Sequence, residues 1–377
     1  MIGVVPSITH QTLRLGLVFV TGASGFIGCA SALEALKAGY RLRLSVRNEA
    51  QIPKIRSALS SYSDNVEFIV IQDITKPDAF AGHLVGVDYV LHIASPLTKG
   101  TTKEDYFPGA VSGTTAILSE AAKVATIKRV VITSSIASLV PLGGVPSDDP
   151  ISEHNDYWNT TISADLPIFE ASANPHPLIL YQASKLLALQ AAESFVSTSS
   201  PGFDIVTIHP SLVCGPDGLQ SSPAEVGVSS GVLFGAVMTG EVVPDPSALT
   251  LVHIDDVAEA HVKALKPSAL AGRYLVSSPG GVRWSDIVAI LKKKFPGENW
   301  KLKEETEGQG WNVDTTKAEK GLGLKPRGLD EIVGDTRNFN WGCWRTPNSR
   351  HMVDIAGLIT PWGNTISHKY HRILVLR

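Results

Sequence analysis

The sequence predicts an α/β fold: a doubly wound parallel sheet with a smaller C-terminal lobe. Three observations carry that prediction. Through residues 15–135, short β-branched runs alternate with longer segments of helical spacing, the rhythm of βαβ units. Several of the short runs, such as Leu17–Val20 and Phe68–Ile71, are apolar throughout, as suits strands buried on both faces. The junction between the first run and the first helical segment holds three glycines.

Taken in order, the first strand is predicted at Leu17–Val20 and the first helix at Phe26–Ala38. Strands follow at Leu42–Val46, Phe68–Ile71 and Tyr89–Ile93, then a helix at Val111–Val124 and a strand at Val130–Thr133. Ser147–Pro177, rich in Pro, Asp and Ser, is expected to be a long surface loop. A long Ala/Leu helix near Ser184–Val196 leads to a strand at Ile205–Ile208. Beyond about Pro210 the rhythm changes. Gly, Pro and Ser cluster over 215–231, followed by a strand at Thr250–His253, a helix at Asp256–Leu265, a strand at Tyr274–Val276 and a helix at Gly328–Asn338.

Composition narrows the class. At roughly 150 residues per domain, 377 residues allow two or three domains. The chain is 44% hydrophobic and 18% charged, against about 25% charged in a typical soluble chain. That excludes a disordered, solvating protein. A net charge of −3 argues against a nucleic-acid binder, which needs a basic surplus. Three scattered cysteines, Cys29, Cys214 and Cys343, form no disulfide framework and no metal-ligand spacing. No metal and no membrane partner are expected, since no apolar run approaches the ~18 residues of a span. The opening segment MIGVVPSITHQTLR has neither a basic start nor an apolar core, so it is not read as a secretory signal, and a cytoplasmic location is expected. Residues 341–377 hold five Lys/Arg against one Asp, so the first 340 sum to −7.

The first strand runs into Thr21-Gly22-Ala23-Ser24-Gly25-Phe26-Ile27-Gly28. Glycines at that spacing let the chain turn sharply and let a pyrophosphate approach a helix N-terminus, whose free N–H groups and dipole favour anions. A tight turn without a ligand is the bland alternative; a preceding strand and a following amphipathic helix favour dinucleotide binding. The fold is therefore expected to be Rossmann-type. At the end of the second strand an NAD site usually carries an acidic residue. Here Arg47 ends the strand, and Lys54 and Arg56 follow, with no carboxylate before Glu49. Cations there accommodate a 2′-phosphate, so NADP is favoured over NAD, a solvated basic face being the competing reading.

Tyr181-Gln-Ala-Ser-Lys185 opens a long helix, which puts Tyr181 and Lys185 on one face. A Lys cation beside a phenol lowers its pKa and makes it a usable general acid near neutral pH. The strand ending at Thr133 runs into Ser134-Ser135, at the carboxyl edge where ligands bind in open α/β sheets. Either hydroxyl could donate to the same carbonyl oxygen. His253 and His261 near Asp255 and Asp256 are read as a capped helix start and not a metal cluster.

With these pieces in place the chain resembles the extended short-chain dehydrogenase/reductases, in the branch of dihydroflavonol reductases, cinnamoyl-CoA reductases and fungal NADPH-dependent ketone, aldehyde and methylglyoxal reductases. Further matching pieces are Gln72-Asp73-Ile74, His92–Pro96, Ala110–Thr114, Val131–Ser135, His209-Pro210 and Val252–Ala258, in order over about residues 12–340. The resemblance implies Tyr181 as proton donor, Lys185 tuning it and holding the nicotinamide ribose, and Ser135 polarising the carbonyl, with Ser134 as the alternative. It implies cofactor contacts from Thr21, Gly22, Ser24, Gly25, Phe26, Ile27, Gly28, Arg47 and Lys54. It also implies Asp73 on the adenine amine with Ile74 against the ring, Ala94 and Ser95 along the cofactor, and Pro210 to Val213 passing the nicotinamide. Pro96 would join Ser135 and Tyr181 at the substrate. For Asp73 a helix cap before Pro77 competes.

The expected organisation is residues 12–210 as the NAD(P)-binding domain, 211–341 as a substrate-binding lobe with some crossover to the sheet, and 342–377 as a poorly packed tail outside the family pattern. The expected activity is NADPH-dependent reduction of a small or medium ketone or aldehyde. Tyr157, Trp158, Phe169, Leu219 and Phe234 are expected to line an apolar pocket, and monomer and homodimer stay open. Sugar-nucleotide epimerases and dehydratases share the Tyr–Lys pair, but dehydratases place Asp and Glu where Ile136 and Ala137 stand here. A hydroxysteroid-dehydrogenase-like oxidation and a catalytically inactive NADP-binding regulator are the other competitors. Such regulators typically lack the Tyr–Lys pair.

Overall fold

The computed structural model describes residues 15–95, 102–139, 161–162, 177–222, 225–243, 246–278 and 280–344. Seven parallel strands form one sheet: β1 (Leu17–Thr21), β2 (Arg41–Val46), β3 (Val66–Val70), β4 (Tyr89–His92), β5 (Arg129–Thr133), β7 (Asp204–Pro210) and β10 (Gly272–Val276). Their order is β10-β7-β5-β4-β1-β2-β3. The chain winds outward in one direction from β1 to β3 and in the other from β4 to β10. The switch therefore falls between β1 and β4, where ligands bind in such sheets.

Both faces are covered at the central strands, which explains the apolar runs of β1 and β5. Side chains alternate across a strand. Val18 and Val20 of β1 join one core with α1 (Phe26–Lys37) and α6 (Ile254–Lys263). Leu17 and Phe19 join the other, with α3 (Lys103–Ala121) and α4 (Pro177–Ser199). The short α2 (Ile52–Ala58) links β2 to β3. At the start of α3, Asp105 accepts the Thr102 N–H at 3.0 Å, one half of a capping box.

A third core gathers α5 (Val228–Thr239), β9 (Leu251–His253), α7 (Trp284–Lys294) and α9 (Leu329–Trp344) around Trp284, which is 1% exposed. Two small parallel pairs lie outside the main sheet: β6 (Thr161–Ile162) with β11 (Asn312–Val313), and β8 (Leu212–Cys214) with β9. The helix α8 (Thr316–Leu322) packs near β10. As expected, His253 starts α6: its Nδ1 accepts the Asp255 N–H at 3.2 Å.

The helix α5 departs from the sequence expectation. The sequence predicts no element there; the helix begins at the end of the Gly, Pro and Ser cluster, and its Leu233, Ala236 and Val237 are buried, so that packing overrides poor helix propensity. The final helix continues to Trp344, so the expected boundary after Trp341 falls inside it. Residues 345–377, and most of the loop expected over Ser147–Pro177, lie outside the described residues. No helix among the described residues is long and apolar enough to cross a membrane.

Candidate active site

A groove of about 530 Å³ runs along the carboxyl edge of the sheet from the turn after β1 to the lobe. One end is built by the glycines. Gly22 has φ +80°, and a Cβ there would lie 2.7 Å from the Ala94 backbone nitrogen. Gly28 lies so close beneath the turn that a Cβ would sit 2.5 Å from the Gly22 carbonyl carbon. Only glycine allows both the left-handed backbone and the approach. Helix α1 starts at Phe26 with no side-chain cap, so its first N–H groups face the groove as an anion site. A dinucleotide pyrophosphate fits this cradle.

Ser24, Gly25, Phe26, Ile27 and Arg47 line the same end. Gln51 ties two of them together: its amide donates to Ser24 Oγ at 3.1 Å and accepts the Arg47 backbone N–H at 2.9 Å. Ala94, Ser95, Pro210 and Val213 also line the groove.

Other expected contacts are placed elsewhere. Thr21 is fully buried. Its hydroxyl accepts the Ile93 and Ala94 N–H groups, each at 3.1 Å, and lies 3.0 Å from His92 Nδ1. It shapes the cradle from inside by fixing the exit of β4. Lys54 forms an ion pair with Glu225 at 2.8 Å and is not on the groove wall. Asp73 accepts the Thr75 N–H at 2.9 Å and its hydroxyl at 2.6 Å. These bonds hold its carboxyl below the usual range and form a local turn, not a helix cap. Ile74 packs toward Gly113 of α3. Pro96 lies outside the described residues, as do Tyr157, Trp158 and Phe169. Leu219 and Phe234 are core residues, 9% and 4% exposed, not pocket surface.

At the other end, Ser135, Tyr181 and Lys185 meet on the wall. Ser135 Oγ accepts the Ala137 N–H at 3.1 Å and is hydrogen-bonded to the Tyr181 hydroxyl. The neighbouring Ser134 is buried, with its hydroxyl 3.2 Å from Ser138 Oγ. Of the two serines, Ser135 is the one aimed at the phenol.

The electrostatics differ from the sequence expectation. Burial pushes the Tyr181 phenol up, and the Ser135 hydrogen bond only partly opposes it. Lys185 Nζ stands 5.8 Å from the Tyr181 ring centre, and burial lowers its own pKa to about 8. Desolvation of the buried phenol is the dominant influence on it. A protonated phenol at neutral pH is nevertheless the form an acid requires.

Sequence reasoning missed several wall residues: Thr133, Gln182, Ser229, Ser247 and Trp311. Ser229, Ser247 and Trp311 come from separate segments of the lobe, and no local spacing marks them. The buried thiols of Cys29 and Cys214 are pushed up to about 11 and about 12 by burial, which keeps them as unreactive thiols.

Comparison with known proteins gives a consistent picture. Residues 18–276 match the NAD dependent epimerase/dehydratase family. The ketoreductase sphI of Aspergillus fumigatus is 43% identical over 323 residues, covering 85% of this chain and 96% of its own. The NAD-dependent epimerase/dehydratase FUM13 of Gibberella moniliformis is 33% identical, covering 85% of this chain and 94% of its own. The crystal structure of yeast methylglyoxal/isovaleraldehyde reductase Gre2, complexed with NADPH, superposes with a TM-score of 0.72 at 26% identity, over 86% of this chain and 98% of that one.

Proposed function

The chain belongs to the NAD dependent epimerase/dehydratase family, and from that membership we propose that it is an NADPH-dependent reductase of a small or medium ketone or aldehyde. The observation that carries the proposal is the Ser135–Tyr181 hydrogen bond on the wall of a groove whose far end is a glycine cradle. The ketoreductase relatives and the NADPH complex of Gre2 support the same chemistry.

Gly22, Gly25, Gly28 and the N-terminus of α1 would hold the pyrophosphate. Arg47 and Ser24 would face the 2′-phosphate. When bound, the reduced nicotinamide supplies a hydride to the carbonyl carbon. The carbonyl oxygen sits between Ser135 and Tyr181. Ser135 donates a hydrogen bond as negative charge grows there, and Tyr181 gives up its proton to complete the alcohol. Lys185 then offsets the charge left on the phenolate oxygen. Ile136, Ala137, Leu212, Val213 and Trp311, with the hydroxyls of Ser229 and Ser247, form the nearby wall, suited to a moderately apolar substrate. Ile136 and Ala137 stand where a dehydratase needs ionisable groups, which favours reduction over dehydration.

The test is NADPH absorbance loss with the full chain against a panel of ketones and aldehydes, with NADH run in parallel. Turnover of at least one carbonyl, faster with NADPH, is expected. Tight NADPH binding with no turnover on the whole panel would overturn the proposal in favour of a cofactor-binding regulator.

A further inference from the structure

One buried titratable side chain touches the proposed acid pair without taking part in the chemistry. His209, on β7, is 0% exposed. Its Nδ1 lies 3.1 Å from the Ser135 carbonyl oxygen and 3.2 Å from Ser138 Oγ. Its Nε2 lies 2.8 Å from Thr207 Oγ1. A carbonyl oxygen only accepts, so Nδ1 carries the hydrogen, and bare Nε2 accepts the Thr207 hydroxyl. Burial pushes the imidazole down to about 3, so the ring stays neutral at working pH and moves no proton.

The same carbonyl also accepts the Ser138 hydroxyl at 2.7 Å. One residue earlier, the Ser134 N–H donates to the Ile208 carbonyl at 2.7 Å. The exit of β5 is thus tied to β7 at two successive residues. The second tie is on Ser135, whose own hydroxyl faces the phenol. A strand position this deep would be filled more cheaply by an apolar side chain, because two ring nitrogens must be desolvated and matched. The match is complete here, with each nitrogen on a definite partner.

We propose that His209 is the positioning residue of the acid pair: its Nδ1–H holds the Ser135 peptide so that the Ser135 hydroxyl stays aimed at Tyr181. This rests on the reading of Ser135 and Tyr181 as the groups that meet the carbonyl oxygen.

The test uses the full chain with NADPH and the best carbonyl from the panel. His209→Phe fills the space without a donor. It should lower kcat by about tenfold to 100-fold, the scale of a roughly 1 Å misplacement, with the NADPH Kd held within about twofold. His209→Asn returns a donor near the Nδ1 position and should recover most of kcat. His209→Gln puts its donor on the Nε2 side and should not. In a Ser135→Ala background, His209→Phe should cost nothing further, because both changes remove one interaction. An unchanged kcat in folded His209→Phe, equal rates for the Asn and Gln variants, or a full additional loss in the double variant would overturn the assignment. If His209→Phe does not fold, the Asn and Gln pair decides alone. If Ser135→Ala itself leaves turnover intact, the reading of the acid pair fails, and the positioning role fails with it.

Discussion

Gly22→Ala is the sharpest perturbation of the cofactor cradle. Two penalties coincide there. The backbone sits at φ +80°, where an L side chain costs roughly 1–2 kcal/mol. A Cβ would also lie 2.7 Å from the Ala94 nitrogen, 0.7 Å inside the 3.4 Å at which ordinary contact begins. That neighbour is backbone, and it is held by the Thr21 hydroxyl at 3.1 Å, so it cannot swing away. Overpacking of this kind adds about 1–3 kcal/mol. Together these shift the melting temperature by several degrees, at about 2–4 °C per kcal/mol in a domain of 150–250 residues. Forcing β1 and β4 apart by a comparable distance misplaces the cradle and should weaken NADPH by about tenfold or more. Gly39→Ala is the matched control. It has φ +96° but nothing within 4 Å of a Cβ, so it should cost the backbone term alone and leave NADPH affinity unchanged. Fluorescence titration with NADPH and thermal melts on both variants supply the readout. Gly22→Ala binding NADPH as tightly as the parent, or Gly39→Ala weakening it equally, would refute the reasoning.

Further outcomes follow from the same geometry. Arg47→Asp should raise the KM for NADPH by about tenfold or more while that for NADH changes little; steady-state kinetics with both cofactors checks this, and equal effects would remove Arg47 from the 2′-phosphate. Ser135→Ala should lower kcat by roughly 10²–10³, whereas Ser134→Ala should cost stability more than rate, which paired kinetics and melts would separate. Burial holds His92 and His261 at about 4 and His209 at about 3. All three are therefore neutral in the fold, while the unfolded chain takes up protons below about 6.5. Their stabilisation is complete above that pH and is lost as pH falls, levelling off near the folded values. At its steepest the loss is up to roughly 4 kcal/mol per pH unit. Urea midpoints measured from pH 7 down to about 4 should fall, and a flat profile would contradict the buried neutral rings.

Much of the sheet was legible because its central strands are buried on both faces, so that β1 and most of β5 read as unbroken apolar runs. The glycine turn was legible because its backbone demands leave few residue choices. What resisted reading depends on contacts distant in sequence. Lys54 sits a few residues after Arg47 and looks like a second phosphate ligand, yet Glu225, 171 residues away, takes its charge. Thr21 belongs to the motif, but the strand pleat turns it inward against His92. Ser229, Ser247 and Trp311 reach the groove from separate segments of the lobe, and no period links them. The pKa of Tyr181 could not be read from its Lys185 neighbour, because desolvation, the larger effect, is a property of the packed site.

The central claim is that Tyr181 delivers the proton while the groove binds NADPH independently of it. Single-turnover reduction of a carbonyl by enzyme preloaded with NADPH, compared between parent and Tyr181→Phe, tests it most directly. The rate should fall by about 10²–10⁴ with NADPH affinity unchanged. A Tyr181→Phe enzyme that turns over at the parent rate would contradict the account.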